Sequence, residues 1–287
     1  MTQAVHTLRW APLMLVPCAT LLAGACSGTS RAPVKREEAA PATAAPPTPD
    51  TKSSPGPAPA AADITTEPPS QKQAPPALRE LFPHIRADVS SKLVEFDGSV
   101  PINCHDPVTP LVYLEVVACI TDTKEHESLV VTAAKPSHIH AALLAAGFQP
   151  GSPGKWKWEN KKLSAIAPTG DTLDIRVRYR DGNGQEVETP ITDWIINTSP
   201  AAPKFGSAAG ARFVFAGSGF VKRRGQEVYD ADGSGLLIGL TTFGSETIAW
   251  SEVISHEAMI AEPEWIADAR KVPKIGTPVV VRIRPGR

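Results

Sequence analysis

The segment LDIRVRYRDGNGQEVETP, residues 173–190, decides the fold class. In its first half, apolar Leu173, Ile175 and Val177 alternate with polar residues, which is the period of a β-strand with one buried face. The DGNG that follows contains residues that tolerate positive φ, so it predicts a tight turn into a returning strand. The segment therefore predicts an antiparallel hairpin with further antiparallel sheet around it.

Similar β-branched or alternating segments recur through the rest of the chain. They are LVEF from Leu93, VYLEVVACI from Val112, SLVVTA from Ser128, ITDWII from Ile191, RFVFAG from Arg212, GLLIGL from Gly235 and PVVVRIR from Pro278. Their number and spacing predict a domain made largely of strands.

Two short helices are also predicted. The first begins near Pro136, runs through an Ala/Leu-rich stretch and has Gly147 as its C-terminal cap. The second is predicted over Pro263–Arg270, where Glu264 and Arg270 suit the two ends of the helix dipole. The predicted class is α+β, predominantly antiparallel β with one or two short helices packed on the sheet.

The first 25 residues have the features of a secretory signal peptide. Arg9 supplies a positive n-region, and the apolar run from Ala11 to Ala25 is shorter than the about 20 residues that span a bilayer. Ala23-Gly24-Ala25 fits the A-x-A rule of ordinary secretion, while LAGAC, ending at Cys26, resembles a bacterial lipobox with its leucine one place too far out. We favour cleavage after Ala25 and acylation of Cys26 over plain secretion.

Residues 26–77 are dominated by Pro, Ala, Thr and Ser and contain almost no large apolar residue. Such a composition predicts a disordered linker of extended polyproline character. Residues 78–287 form the predicted single globular domain. We therefore expect an exported protein of the cell envelope, periplasm-facing or on the outer membrane, that meets the membrane through its acyl chains.

The charge pattern argues against nucleic acid as a partner. The formal net charge is −1, and Lys222-Arg223-Arg224 is a small local cluster typical of a charged hairpin turn. No nucleophile elbow, H-E-x-x-H helix, P-loop or dinucleotide fingerprint occurs in the sequence. The motifs therefore name no reaction, and we lean against an enzyme.

Three segments carry a resemblance to a known family: TKEHESL (123–129), AKPSHIHAALLAAGFQPGSP (134–153) and FVFAGSGF (213–220). They resemble the exported YdjY-domain proteins of bacteria over roughly residues 89–285. The resemblance implies no activity, because function in that family is not established. Some members are described as ferredoxin-like, but Cys104 and Cys119 lack the C-x-x-C partners of an iron–sulfur cluster.

The candidate functional residues lie in the first two of these segments. They are Glu125, His126, Glu127, His138 and His140, a set of imidazoles and carboxylates suited to zinc or to acid–base chemistry. On a helix His138 and His140 point about 200° apart, so His126 and His138 are the metal candidates. We favour the simpler interpretation, in which these side chains make local structural contacts and no cofactor is bound.

Cys104 and Cys119 are separated by fifteen positions. In an oxidising compartment this arrangement favours a disulfide over a reactive thiol paired with His105. A bond of this loop length contributes about 3 kcal/mol in the loop-entropy model.

Two further motifs have a structural and a functional interpretation. Residues 230–235, DADGSG, imitate the start of a calcium loop, but Thr241 stands where the final Glu belongs, so a tight turn is favoured. Trp156, Trp158 and Trp194 are suited to a glycan or peptide groove, although core positions are more common.

These observations predict a non-catalytic, β-rich binding domain carried by an envelope lipoprotein, with an envelope protein or a glycan as partner. One alternative is a metal-binding protein or metal-dependent enzyme that uses His126, Glu127 and His138. The other is a purely structural envelope component whose main chemical feature is the bond between Cys104 and Cys119.

Overall fold

The structure is a computed structural model that describes residues 78–108 and 111–286. The predicted signal peptide, Cys26 and the linker up to residue 77 lie outside these described residues. Among the described residues, no helix is long and apolar enough to cross a membrane.

The described chain is mainly β, with short helices. Its strands are β1 (Arg79–Phe82), β2 (Ile85–Asp88), β3 (Leu93–Ser99), β4 (Val116–Ile120), β5 (Ser128–Thr132), β6 (Pro150–Ser152), β7 (Lys155–Glu159), β8 (Lys162–Ile166), β9 (Thr169–Gly170), β10 (Thr172–Arg180), β11 (Glu186–Pro190), β12 (Ile195–Asn197), β13 (Phe213–Val214), β14 (Phe220–Arg223), β15 (Gln226–Tyr229), β16 (Leu236–Gly239), β17 (Ile248–Trp250), β18 (Trp265–Ala267) and β19 (Pro278–Pro285). The α-helices are α1 (Pro136–Ala145) and α2 (Asp230–Ser234), and Glu125–Glu127 and Ile191–Trp194 form 3₁₀ turns.

The main sheet closes on itself. Its strand order is β1-β2-β3-β19-β10-β13-β17-β16-β4-β5, and β11 pairs with β10. A further pairing of Ser99 in β3 with Val131 in the terminal strand β5 closes the strands from β3 to β5 into a ring, and β2 and β1 continue the sheet beyond β3. Most neighbours are antiparallel, whereas β4–β5 and β16–β17 are parallel. The antiparallel hairpin predicted at DGNG is present as β10 and β11.

The core lies on the face of the sheet that carries the alternate apolar residues. Ile175 and Val177 of β10 and Val281 and Ile283 of β19 are buried there. Helix α1 packs on β2 and β3 and adds Ile139, Ala142 and Leu143 to the same cluster. Each buried valine, isoleucine or leucine of this set stabilises the fold by about 1.5–3 kcal/mol relative to an exposed position.

The predicted C-terminal cap of α1 is present. Gly147 adopts φ +82°, and the backbone N–H of Phe148 donates to the carbonyl of Leu143 at 3.0 Å. This arrangement satisfies carbonyls at the helix end, and glycine is the residue that tolerates the left-handed conformation.

The opposite face of the sheet carries a ladder of charges. Glu95 of β3 is fully buried, and the Nε of Arg282 donates to it at 2.6 Å. Arg86 and Arg178 lie 3.7 and 3.6 Å from its other oxygen. Arg282 also binds Glu188 of β11, so this network ties β2, β3, β19, β10 and β11 together.

The prediction of a second helix at Pro263–Arg270 is wrong. Residues 265–267 form β18, which pairs with β12. The reason is tertiary: the carbonyl of Trp265 accepts the N–H of Leu114 at 2.9 Å, and the N–H of Ala267 donates to Val112 at 3.1 Å. Pairing with neighbouring chain on both sides overrides the weak helical preference of this short segment. The strand predicted at ITDWII likewise begins as a 3₁₀ turn.

Candidate functional site

The KEHES segment is a 3₁₀ turn between the parallel strands β4 and β5. The carboxylate of Glu125 accepts the backbone N–H of Asp122 and, at 2.9 Å, that of Thr123. Partial burial raises the pKa of Glu125, but hydrogen bonds from backbone N–H groups lower it overall. Glu125 therefore stabilises this turn by accepting hydrogen bonds from the backbone in front of it.

His126 and Glu127 have little contact with each other. The His126 side chain is 79% exposed, and its Nε2 lies 3.6 Å from Glu127. Lys124 approaches the same carboxylate at 2.5 Å and reaches Glu115 at 2.8 Å. The lysine thus neutralises the carboxylate that a metal would need.

His138 and His140 project from α1 towards different partners. The ring of His138 stacks on Phe82 of β1 with centroids 4.5 Å apart. His140 lies against Phe215, edge to face at 4.9 Å, and reaches the hydroxyl of Tyr229 at 2.9 Å. Across the residues that the structure describes, no three His, Cys, Asp or Glu side chains gather as a metal site would require.

Tyr229 is the centre of a buried polar cluster. Its hydroxyl donates to the carbonyl of Gly217 at 3.0 Å and lies 3.2 Å from the hydroxyl of Thr247. With the single phenol proton donated to Gly217, the hydrogen bond between Nδ1 of His140 and the Tyr229 hydroxyl is donated by the histidine.

Burial sets the protonation of this pair. Tyr229 is 7% exposed, and desolvation raises its pKa to about 12. Desolvation likewise lowers the pKa of His140, although a hydrogen bond with the backbone of Gly217 opposes the shift. Both side chains are therefore neutral at physiological pH, and they join α1 to the FAGSGF loop.

The DADGSG segment forms a short helix whose Asp232 caps the start of α1. It forms α2, ends at Gly235 with φ +77°, and so differs from the tight turn predicted. Asp232 accepts the backbone N–H and the hydroxyl of Ser137 at the start of α1, at 2.8 and 2.6 Å. Asp230 pairs with Arg223 at 2.9 Å. The carboxylates that suggested a calcium loop bind protein groups.

These contacts bring together two of the three segments that carry the family resemblance, residues 134–153 and 213–220. We call the group formed by Ser137, His140, Gly217, Tyr229 and Asp232 the His140 cluster. The sequence suggested its histidine but missed Tyr229, because no local pattern predicts a tyrosine hydroxyl that meets a helix from a distant strand.

The predicted bond between Cys104 and Cys119 is not formed. Both are free thiols: Cys119 is buried in β4, and Cys104 is half-buried in a loop near Asp268. Burial raises the pKa of both thiols. Cys104 Sγ lies 3.9 Å from the Nδ1 of His105, but the raised pKa disfavours a reactive thiolate.

The three tryptophans have different surroundings. Trp194 is fully buried in the main core, as favoured for all three. Trp156 is half-buried, and its indole N–H donates to the carbonyl of Thr242 at 3.3 Å. Trp158 is 69% exposed. The prediction of a core position is therefore wrong for Trp158, and also for Trp156, which is only half-buried.

Trp156 and Trp158 belong to a two-stranded ribbon, β7–β8, which pairs with no other strand that the structure describes. We call Lys155–Ile166 the aromatic hairpin. Trp156 faces Ala165 and Trp158 faces Leu163 across the ribbon, so the four side chains share one face. Lys155 and Lys157 alternate with the tryptophans and point to the other face.

Comparisons with known proteins agree with the resemblance noted from the sequence. The YdjY domain model matches residues 85–284, well over half of the chain. No curated protein and no solved structure matches. The match includes α1, the 3₁₀ turn at Glu125–Glu127, the His140 cluster and the aromatic hairpin. The chain belongs to the YdjY domain family.

Proposed function

We propose that this protein is an envelope lipoprotein, acylated at Cys26, whose β-rich domain acts by binding and uses the aromatic hairpin as its contact surface. The observation that carries the proposal is the exposure of Trp158 on a ribbon outside the main sheet. The proposed linker of residues 26–77 would be long enough to let this surface reach its partner while the anchor stays in the membrane.

The composition of the hairpin supports a contact role. A tryptophan combines a large apolar area with a polar N–H, and it is enriched at interfaces for that reason. Trp156 is fixed to the body of the domain through Thr242, whereas Trp158, two residues further along the strand, is left in solvent. An anchored aromatic next to a free one gives a rigid surface that a partner can cover.

The polar residues of the family-like segments support a non-catalytic role. Glu125 binds the backbone of its own turn, and Asp232 binds the start of α1. His140 is engaged by Tyr229. Each of these side chains has a structural partner that accounts for its position.

Photo-cross-linking in cells tests this proposal. A photoreactive amino acid would replace Trp158 in the full chain, and a matched variant would carry it at Phe220. Phe220 is also 69% exposed and lies in the β14–β15 hairpin. We expect an adduct from position 158 and none from position 220. No adduct at 158, or equal adducts at both, would overturn the proposal.

A further inference from the structure

The aromatic hairpin is strongly basic. It contains Lys155, Lys157, Lys161 and Lys162 against a single acidic residue, Glu159. Lys157 pairs with Glu159 at 2.5 Å. The other three lysines form no ion pair with any residue that the structure describes. Lys161 and Lys162 therefore carry unneutralised positive charge at the turn next to the exposed Trp158, whereas Lys155 lies at the other end of β7.

The turn of the hairpin puts charge and aromatic surface at one end. Asn160 and Lys161 have φ of +51° and +61°, which is the geometry of a tight two-residue turn. Left-handed φ favours Gly or Asn over lysine, so Lys161 holds its charge at the tip in an unfavourable backbone conformation. Trp158 and Leu163 are the apolar pair next to this tip.

This combination fits a particular kind of partner. Tryptophan side chains settle at the boundary between the headgroups and acyl chains of a bilayer, and lysines bind anionic headgroups. Lysine stems are long enough to keep the ammonium groups at the headgroups while an adjacent indole enters more deeply. A neutral glycan would stack on Trp158 but would make no use of the charges of Lys161 and Lys162.

We infer that the tip of the aromatic hairpin docks on the surface of an anionic lipid bilayer, with Trp158 in the interfacial layer and Lys161 and Lys162 against the headgroups. The inference rests on the proposed function and names the partner of the same surface. The domain would then touch the membrane directly, in addition to the acyl anchor proposed at Cys26.

Vesicle binding by the mature chain tests the inference. Residues 26–287 with Cys26→Ser would be used, so that an acyl chain cannot mask the contribution of the hairpin. The probes are vesicles of phosphatidylcholine alone and vesicles in which part of it is replaced by phosphatidylglycerol. We expect binding to the anionic vesicles only, weakened by salt.

Three variants locate the contact. Lys161→Glu with Lys162→Glu should weaken binding to anionic vesicles by more than about tenfold, since each basic residue near such a surface contributes about fivefold. Trp158→Ala should weaken it and remove the blue shift of tryptophan emission. Phe220→Ala, matched in exposure, should bind as the parent does. Equal binding to neutral vesicles, or an equal loss in Phe220→Ala, would overturn the inference.

The outcomes also separate the inference from the proposed function. If the mature chain binds no vesicles but position 158 still cross-links to a protein or a glycan in cells, the lipid inference fails and the binding function stands. If the chain dimerises and Trp158→Ala makes it monomeric, the hairpin meets a second copy, and the lipid inference also fails. If neither vesicles nor cross-linking gives a signal, both fail.

Discussion

Asp232 caps helix α1 from α2, 95 residues away in the sequence, by accepting both the backbone N–H and the hydroxyl of Ser137. The residue at the usual capping position is Lys135, whose side chain makes no cap hydrogen bond. The start of α1 therefore depends on a carboxylate from a distant segment, and the charge of Asp232 also suits the positive end of the helix.

The cap predicts a measurable loss of stability. Asp232→Ala should lower the free energy of unfolding by about 1–2 kcal/mol in urea denaturation, because two donors at the helix start lose their acceptor. Asp230→Ala is the matched control in the same short helix, since it removes only a solvent-accessible pair with Arg223 and should cost less than about 1 kcal/mol. Equal effects of the two variants would contradict the capping role.

His140 predicts how stability depends on pH. Burial lowers its pKa below the ordinary 6.5, so the unfolded chain takes up a proton more readily than the folded one. Its contribution to stability is complete above about pH 6.5 and is lost as the pH falls towards the lowered pKa. We expect His140→Gln to flatten the acid side of a plot of unfolding free energy against pH.

The matched control for this pH dependence is His126→Gln, because His126 is exposed and lies outside the His140 cluster. It should not reproduce the flattening expected for His140→Gln. A parent-like profile in His140→Gln would show that another group controls the acid response.

Replacing Glu95 should lower the free energy of unfolding more than replacing any other charged residue of the main sheet. Glu95→Ala leaves Arg282, only 13% exposed, without one of its two carboxylates and removes the shared partner of Arg86 and Arg178. We expect the free energy of unfolding to fall by about 3–5 kcal/mol. Glu159→Ala, in the exposed pair with Lys157, should cost less than about 1 kcal/mol. A similarly small loss at Glu95 would contradict the bracing role of the network.

Metal analysis checks the alternative at His126 and His138. We expect the purified full chain to hold no stoichiometric zinc. Lys124 already forms an ion pair with the carboxylate of Glu127, and the His138 ring stacks on Phe82. Chelators should leave the thermal midpoint unchanged. Stoichiometric zinc that disappears in both His126→Ala and His138→Ala, with folding retained, would restore the metal site.

The sequence predicted the parts of the fold that local pattern controls. The alternation in LDIRVRYR and the DGNG turn predicted β10 and β11, and Gly147 predicted the end of α1. The segment at 263–270 failed because its strand depends on β12 and on Val112 and Leu114, which are far away in the chain. Ring closure through Ser99 and Val131 is equally non-local.

The candidate site was predictable only in part. His140 was identified as a polar residue of interest, but its partner Tyr229 comes from a strand 89 residues further on. Asp232 was noticed for its resemblance to a calcium loop, although its acceptor role at Ser137 depends on helix packing. Trp156 and Trp158 were identified from the sequence as candidates for a binding groove, whereas the solvent exposure of Trp158 needed the whole fold.

Retention in the cell envelope tests the central claim, that Trp158 belongs to a binding surface, most directly. The full chain with Cys26→Ser would be exported, its mature N-terminus verified by mass, and its distribution between envelope and soluble fractions compared with and without Trp158→Ala. Phe220→Ala on the same background serves as the control. The account predicts that the unacylated chain and its Phe220→Ala variant stay partly with the envelope, and that Trp158→Ala moves to the soluble fraction. Identical distributions of all three chains would contradict it.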